Sequence, residues 1–315
     1  MPSTTLPQLE RTFICEGGLE TDLIFHHGFE LPHFASFTLL DDDRGLEVLR
    51  DYYRSFVDVA RRHGTGVVFE TPTWRASSDW GELLGYSTDA LDDVNRRGVE
   101  LLRGLRDSDP DVEIVVSGNV GPRGDGYTVA EAMTPDEARV YHAAQIRSLA
   151  AAGADLITVL TITYAAEATG IVRAAGDVGL PVVVSFTVET DGRLPSGQPL
   201  ADAIREVDDA TEQAAIYFMV NCAHPTHFSD VFDAPGPWHR IRGVRVNASR
   251  LSHAELDEAE ELDRGDEADL ARGCIELLDK LADVAVVGGC CGTDKAHLEA
   301  IGAAVAQRRS AGVSA

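Results

Sequence analysis

Val284-Ala285-Val286-Val287-Gly288-Gly289-Cys290-Cys291-Gly292-Thr293 reads as a short apolar strand that runs into a glycine-rich turn carrying two adjacent cysteines. A strand that is apolar at every position has both faces covered, as a parallel strand beneath helices does. Val182-Val183-Val184 has the same character. Working outward, eight such runs emerge: Phe13–Glu16, Gly66–Thr71, Glu113–Asn119, Asp155–Thr161, Pro181–Thr187, Ala215–Asn221, Ile241–Asn247 and Val284–Gly288. Helical patterns fill the gaps. Leu46–His63 sets Leu46, Leu49, Tyr53, Phe56, Val57 and Ala60 on one stripe and stops at Gly64. Thr134–Ala152 opens with Thr134, Pro135 and Glu137, a capping pattern, and stops at Gly153. Asp266–Ala282 and Asp294–Arg308 have acidic starts, which suit the positive end of a helix.

Eight β-then-α units specify an α/β fold, a single-domain (β/α)₈ TIM barrel. A doubly wound open sheet would want a glycine-rich phosphate loop after an early strand, and Glu16-Gly17-Gly18-Leu19-Glu20-Thr21 does not match that pattern. The expected division is an N-terminal extension over 1–12, the barrel over 13–309 and a tail over 310–315. Leu251–Asp269 is strongly acidic and reads as a solvated surface segment.

The 315 residues carry 52 acidic and 27 basic side chains, for a formal charge of −25. That excludes nucleic acid as a partner, because phosphate binding needs a basic surface. It leaves room for a field that draws in a cationic substrate. No apolar stretch approaches the roughly 20 residues that span a membrane. Met1–Arg11 lacks a basic start followed by an apolar segment, so no export signal is expected. The five cysteines, Cys15, Cys222, Cys274, Cys290 and Cys291, are odd in number. They read as free thiols in a reducing cytoplasm rather than as a disulfide framework. A homo-oligomer is compatible with the sequence.

Cys222 follows the apolar run Ala215–Asn221, as Cys290 and Cys291 follow theirs. In a barrel, all three fall at the C-terminal ends of strands, the face where active sites are built. Three thiolates match the preference of Zn²⁺ for sulfur and leave a fourth tetrahedral position for a substrate thiol. A thiol bound there loses its proton and becomes a nucleophile at neutral pH. A closed site completed by His224 or His227, or a redox pair at Cys290–Cys291, is the alternative.

These residues resemble the homocysteine S-methyltransferase family over about Phe13 to Ile301. Gly288-Gly289-Cys290-Cys291-Gly292-Thr293 is similar to its zinc signature, and Val220-Asn221-Cys222 with Pro225 to its first cysteine segment. Ser185-Phe186-Thr187, Gly118 to Pro122 and Glu16-Gly17-Gly18-Leu19-x-Thr21 match in type and order. The resemblance implies zinc and methyl transfer from a small cationic donor, of sulfonium or betaine type, to homocysteine, giving methionine. It implies that Glu16, Gly17, Gly18 and Asn221 line the acceptor pocket. Two positions depart from the family. Glu16 stands where an aspartate is usual, and Leu160 where a glutamate binds the substrate amino group. Glu70, in Phe69-Glu70-Thr71-Pro72, is the candidate to replace that charge, unless it pairs with Arg75. Tyr52, Trp74 and Tyr164 are candidate aromatic contacts for a cationic donor. Other readings of the same residues are transfer to a different thiol, and a non-catalytic zinc-stabilised binding barrel.

Overall fold

The computed structural model of the chain describes residues 6–129, 131–259 and 261–312. Eight parallel strands close on themselves in chain order. They are β1 Phe13–Cys15, β2 Gly66–Glu70, β3 Ile114–Val120, β4 Leu156–Ile162, β5 Val182–Thr187, β6 Tyr217–Ala223, β7 Ile241–Val246 and β8 Val286–Gly289. Each matches an expected run, with ends displaced by two residues at most.

Strand alternation divides the apolar residues into two clusters. Val67, Phe69, Val116, Val159, Val184, Val220 and Val287 pack outward against the helices. Leu6, Phe13, Cys15, Val68, Val115, Leu156, Val183, Tyr217, Met219 and Val286 fill the barrel interior. Part of the segment ahead of β1 therefore joins the core. Leu6 is buried in that interior cluster, beside β1 at the N-terminal end of the barrel, and Gln8 is buried with it.

Long helices cross between most strands, as in Asp43–His63, Pro135–Ala152 and Glu267–Lys280, and a last one, Lys295–Gly312, follows β8. The capping pattern at Thr134 forms: its hydroxyl accepts from Glu137 N, while the Glu137 carboxylate accepts from Thr134 N. The crossing after β6 has only Pro225–Phe228 and two short 3₁₀ turns, so the thiol of Cys222 is followed almost at once by loop. The last helix continues to Gly312 rather than stopping near Arg308, and residues 313–315 of the expected tail lie outside the described residues. The acidic stretch is exposed or half-buried, and His253, in the short helix His253–Asp257, is its one fully buried member among the described residues. No helix among the described residues is long and apolar enough to cross a membrane.

Candidate metal centre and active site

Cys222 ought, by strand alternation, to point away from the face that Asn221 occupies. It does not, because its backbone is left-handed, with φ of 60°, and the β6–β7 register shifts between Asn221 and Ala223. This bulge turns both neighbours toward the barrel mouth. Thr161 repeats the device on β4, with φ of 63° and a register shift beside it. The Asn221 amide bridges the two irregularities. Its Oδ1 accepts from Thr161 N at 2.9 Å and from Ser185 Oγ at 2.7 Å, and its Nδ2 donates to Thr161 Oγ1 at 2.9 Å.

Cys290 and Cys291 occupy a tight turn beyond β8. Thr293 N and Thr293 Oγ1 both donate to Cys290 O, and Gly292, with φ of 78°, lets the chain reverse. Gly17 and Gly18 make room for this turn: a Cβ on Gly18 would lie 2.5 Å from Cys290 O, and one on Gly17 2.7 Å from Thr293 O.

The outcome is a three-sulfur cluster. Cys222 Sγ lies 3.2 Å from Cys290 Sγ and 3.4 Å from Cys291 Sγ. All three sulfurs fall within 4.8 Å of one another. Tetrahedral zinc with bonds of about 2.3 Å sets its sulfurs about 3.8 Å apart, so a spread of roughly half an ångström admits the ion. Cys290 is the thiol most inclined to ionise: hydrogen bonds from Cys222 and Cys291 hold it well below the ordinary range, with Arg245 and Asn221 adding to them. The same contacts, with burial, push Cys222 up. Neither candidate histidine joins the cluster. His224 Nδ1 is engaged with Thr226, and His227 Nε2 lies 2.8 Å from the Arg250 carbonyl.

The group that does reach the sulfurs is Tyr127, from the loop after β3. Its hydroxyl lies 3.2 Å from Cys222 Sγ and 3.7 Å from Cys291 Sγ. Its ring stacks on His253, centroids 4.1 Å apart. His253 Nε2 in turn donates to the Cys222 carbonyl at 2.6 Å. Nothing local in the sequence marks Tyr127; only its place in a loop at the C-terminal face points to it.

Beneath the sulfurs lies a buried charge cluster. Glu16 Oε1 pairs with Arg245 Nη1 at 2.8 Å, and Arg245 Nε donates to Gly289 O. Glu70 lies beside them and is not paired with Arg75. Burial and the nearby Glu16 charge push its carboxyl up to about 7, opposed by Arg245 and by hydrogen bonds from Ser117 and Thr158. One of its oxygens, Oε2, has no partner. Arg245 escaped the sequence reading, although a charged residue at an inward position of β7 is a legible signal. Leu160 is buried, and its carbonyl accepts from Trp74 Nε1 at 3.3 Å.

The three aromatic candidates part company. Tyr52 is buried edge-on against Tyr53 and Phe56, among the helix-facing core residues. The face of Trp74 is covered by the chain's own Arg75, whose guanidinium carbon lies 3.9 Å from the ring centroid. Tyr164 lines a cavity of about 250 Å³ with Asp125, Glu131 and Glu167.

A family model described as homocysteine S-methyltransferase matches residues 13–305. Homocysteine S-methyltransferase 4 of Zea mays is 24% identical, over 93% of this chain and 89% of its own. Methionine synthase of Mycobacterium leprae is 29% identical over 85% of this chain, which corresponds to 23% of that longer protein. Among solved structures, the homocysteine methyltransferase MmuM of Escherichia coli in an oxidised form superposes with a TM-score of 0.73 at 20% identity. That match covers 93% of this chain and 95% of the other. A metallated form of the same enzyme gives 0.71 at 18% identity.

Proposed function

The chain belongs to the homocysteine S-methyltransferase family, and from that premise we propose how its own residues carry a methyl group to the thiol of homocysteine, giving methionine. Cys222, Cys290 and Cys291 would hold a zinc ion. The observation that carries this reading is the convergence of three sulfurs, with no carboxylate among them, from two separate strand ends. Such a donor set suits zinc and not a hard cation. Bound there, zinc would supply the Lewis acidity that keeps the acceptor sulfur a thiolate at neutral pH.

The chain supplies the remainder. Tyr127 holds its hydroxyl over the sulfurs and would yield that place to the incoming thiol. Asn221 fixes Thr161 and Ser185 against the cluster. We assign the acceptor's ammonium to Glu70, a buried carboxyl group with an unpartnered oxygen and no ion pair among the described residues, the neighbouring Arg245 being paired with Glu16. Glu16 contributes through its ion pair with Arg245, and Gly17, Gly18 and Leu160 complete the wall. The methyl donor is a small cation, drawn by the acidic cavity beside Tyr164. The acceptor sulfur forms a bond to the methyl carbon while the bond from that carbon to the donor's sulfur or nitrogen breaks, and the donor leaves neutral. Orientation of the two reactants supplies much of the rate. The free state of all five cysteines suits a reducing compartment such as the cytoplasm.

The test is methionine formation from homocysteine with S-methylmethionine or glycine betaine, before and after removal and return of zinc. Activity that follows zinc and vanishes in Cys290→Ser supports the reading. A zinc-replete chain that methylates no thiol with any sulfonium or betaine donor overturns it.

A further inference from the structure

Arg75 is a buried cation with no ion pair among the described residues; the charges of Asp125 and Glu20 act on it only from beyond ion-pair distance. Its guanidinium lies between two indoles, with its carbon 3.9 Å from the Trp74 ring centroid and 4.0 Å from that of Trp80. Only 4% of the residue is exposed. Nη1 donates to Gly124 O at 2.8 Å, while Nε has no partner. No carboxylate forms an ion pair with it among the described residues, in a chain where acids outnumber bases 52 to 27. Other arginines near acids, such as Arg61, Arg139 and Arg240, take them as partners.

The position of Arg75 is equally specific. It follows Trp74, whose Nε1 donates to Leu160 O at the end of β4. It grips Gly124, three residues before Tyr127, in the loop that touches the sulfur cluster. Two ring faces hold the guanidinium in place, so its buried, unpartnered Nε side presents its donor at a set angle. Such a pre-set fork matches a carboxylate better than a point charge would. Removing a buried guanidinium from water without a partner is unfavourable, which leaves a ligand as the natural source of the missing charge.

We infer that Arg75 binds a substrate carboxylate at the mouth of the barrel. The inference rests on the proposed reaction for the identity of the substrates. Both the amino-acid acceptor and a zwitterionic donor carry that group, and the test separates the two. It also changes the reading of Trp74: its face holds an internal cation rather than the donor's positive charge.

Two of the chain's three tryptophans flank Arg75, so indole fluorescence reports binding without turnover. Zinc-loaded wild type, Arg75→Gln and Arg75→Lys are titrated with homocysteine and with 3-aminopropane-1-thiol, which lacks the carboxylate. They are titrated likewise with S-methylmethionine and with trimethylsulfonium. Arg75→Gln is expected to weaken the carboxylate-bearing member of one pair about 10–100-fold and to leave its carboxylate-free counterpart unchanged. Loss confined to the thiol pair identifies the acceptor, and loss confined to the sulfonium pair identifies the donor. Arg75→Lys keeps the charge without the fork and is expected to fall between. Equal weakening of all four ligands, no weakening, or no binding of any by the wild type overturns the inference. Failure of the proposed reaction shows separately, as absent methionine with binding intact.

Discussion

The thiol of Cys222 reaches the other two sulfurs through a left-handed backbone at a residue that is not glycine. Such a conformation costs on the order of 1 kcal/mol and persists where its surroundings fix it. Here the surroundings are Asn221, locked to Thr161 and Ser185, and His253 on the Cys222 carbonyl. The sulfurs themselves were legible in the sequence, because glycines and strand ends announce them. Their neighbour Tyr127 was not, since contacts between distant segments leave no local pattern, whereas Arg245 carried a readable signal, a charge inside an apolar strand, that the reading passed over. Tyr127→Phe keeps the ring on His253 and removes the hydroxyl from the sulfurs. A lower KM for the thiol with stability unchanged within about 0.5 kcal/mol is expected; a raised KM would show that the hydroxyl helps bind substrate rather than giving way to it. Glu70 gives a second prediction. Its neighbours are Glu16, Arg245, Ser117 and Thr158, and its carboxyl is pushed up to about 7 from an ordinary 4.5. The folded chain holds this proton more tightly than the unfolded chain does. Stability from the group is therefore complete below the ordinary value and is lost as pH climbs through 7. Glu70→Gln does not ionise, so its melting temperature relative to wild type should rise between pH 5 and pH 8. A difference that stays flat across that range contradicts this environment for Glu70.

At the scale of elements, the site is made where two turns interlock. The turn after β1 passes under the turn after β8, with Gly18 N donating to Thr293 O and Gly292 N donating to Thr21 Oγ1. Gly17 and Gly18 were singled out in the sequence as substrate-pocket residues. The structure adds a packing reason for them, since side chains there would collide with the cysteine turn. Gly18→Ala is expected to destabilise the fold by about 1–3 kcal/mol through overpacking. It should also loosen zinc, read as faster loss to a chelator than in wild type. Unchanged zinc release would mean that the two turns move independently. The strands were readable because each is a nearly continuous apolar run. The bulges at Thr161 and Cys222 were not, because alternation gives no warning of where it will be broken.

For the whole molecule, the barrel followed from counting units, and the closed order β1 to β8 agrees. The seating of Leu6 inside the barrel escaped that count, because a lone apolar residue ahead of β1 has no periodicity. The surface carries the excess of acid. Ion pairs such as Arg61 with Asp109 and Asp111 offset part of it, yet the formal charge remains −25. Self-repulsion of that size outweighs exposed pairs, which contribute little singly. Raising ionic strength from about 0.01 M to about 1 M shrinks the screening length from about 30 Å to about 3 Å and should raise the melting temperature. A fall would show that the surface pairs dominate. The proposed reaction depends on one metal centre with a place for substrate sulfur, and zinc K-edge X-ray absorption of the loaded protein, with and without homocysteine, tests it most directly. The predicted shell is three sulfurs and one oxygen alone, becoming four sulfurs when homocysteine is added. A shell with fewer than three sulfurs, or one that homocysteine leaves unchanged, would contradict it.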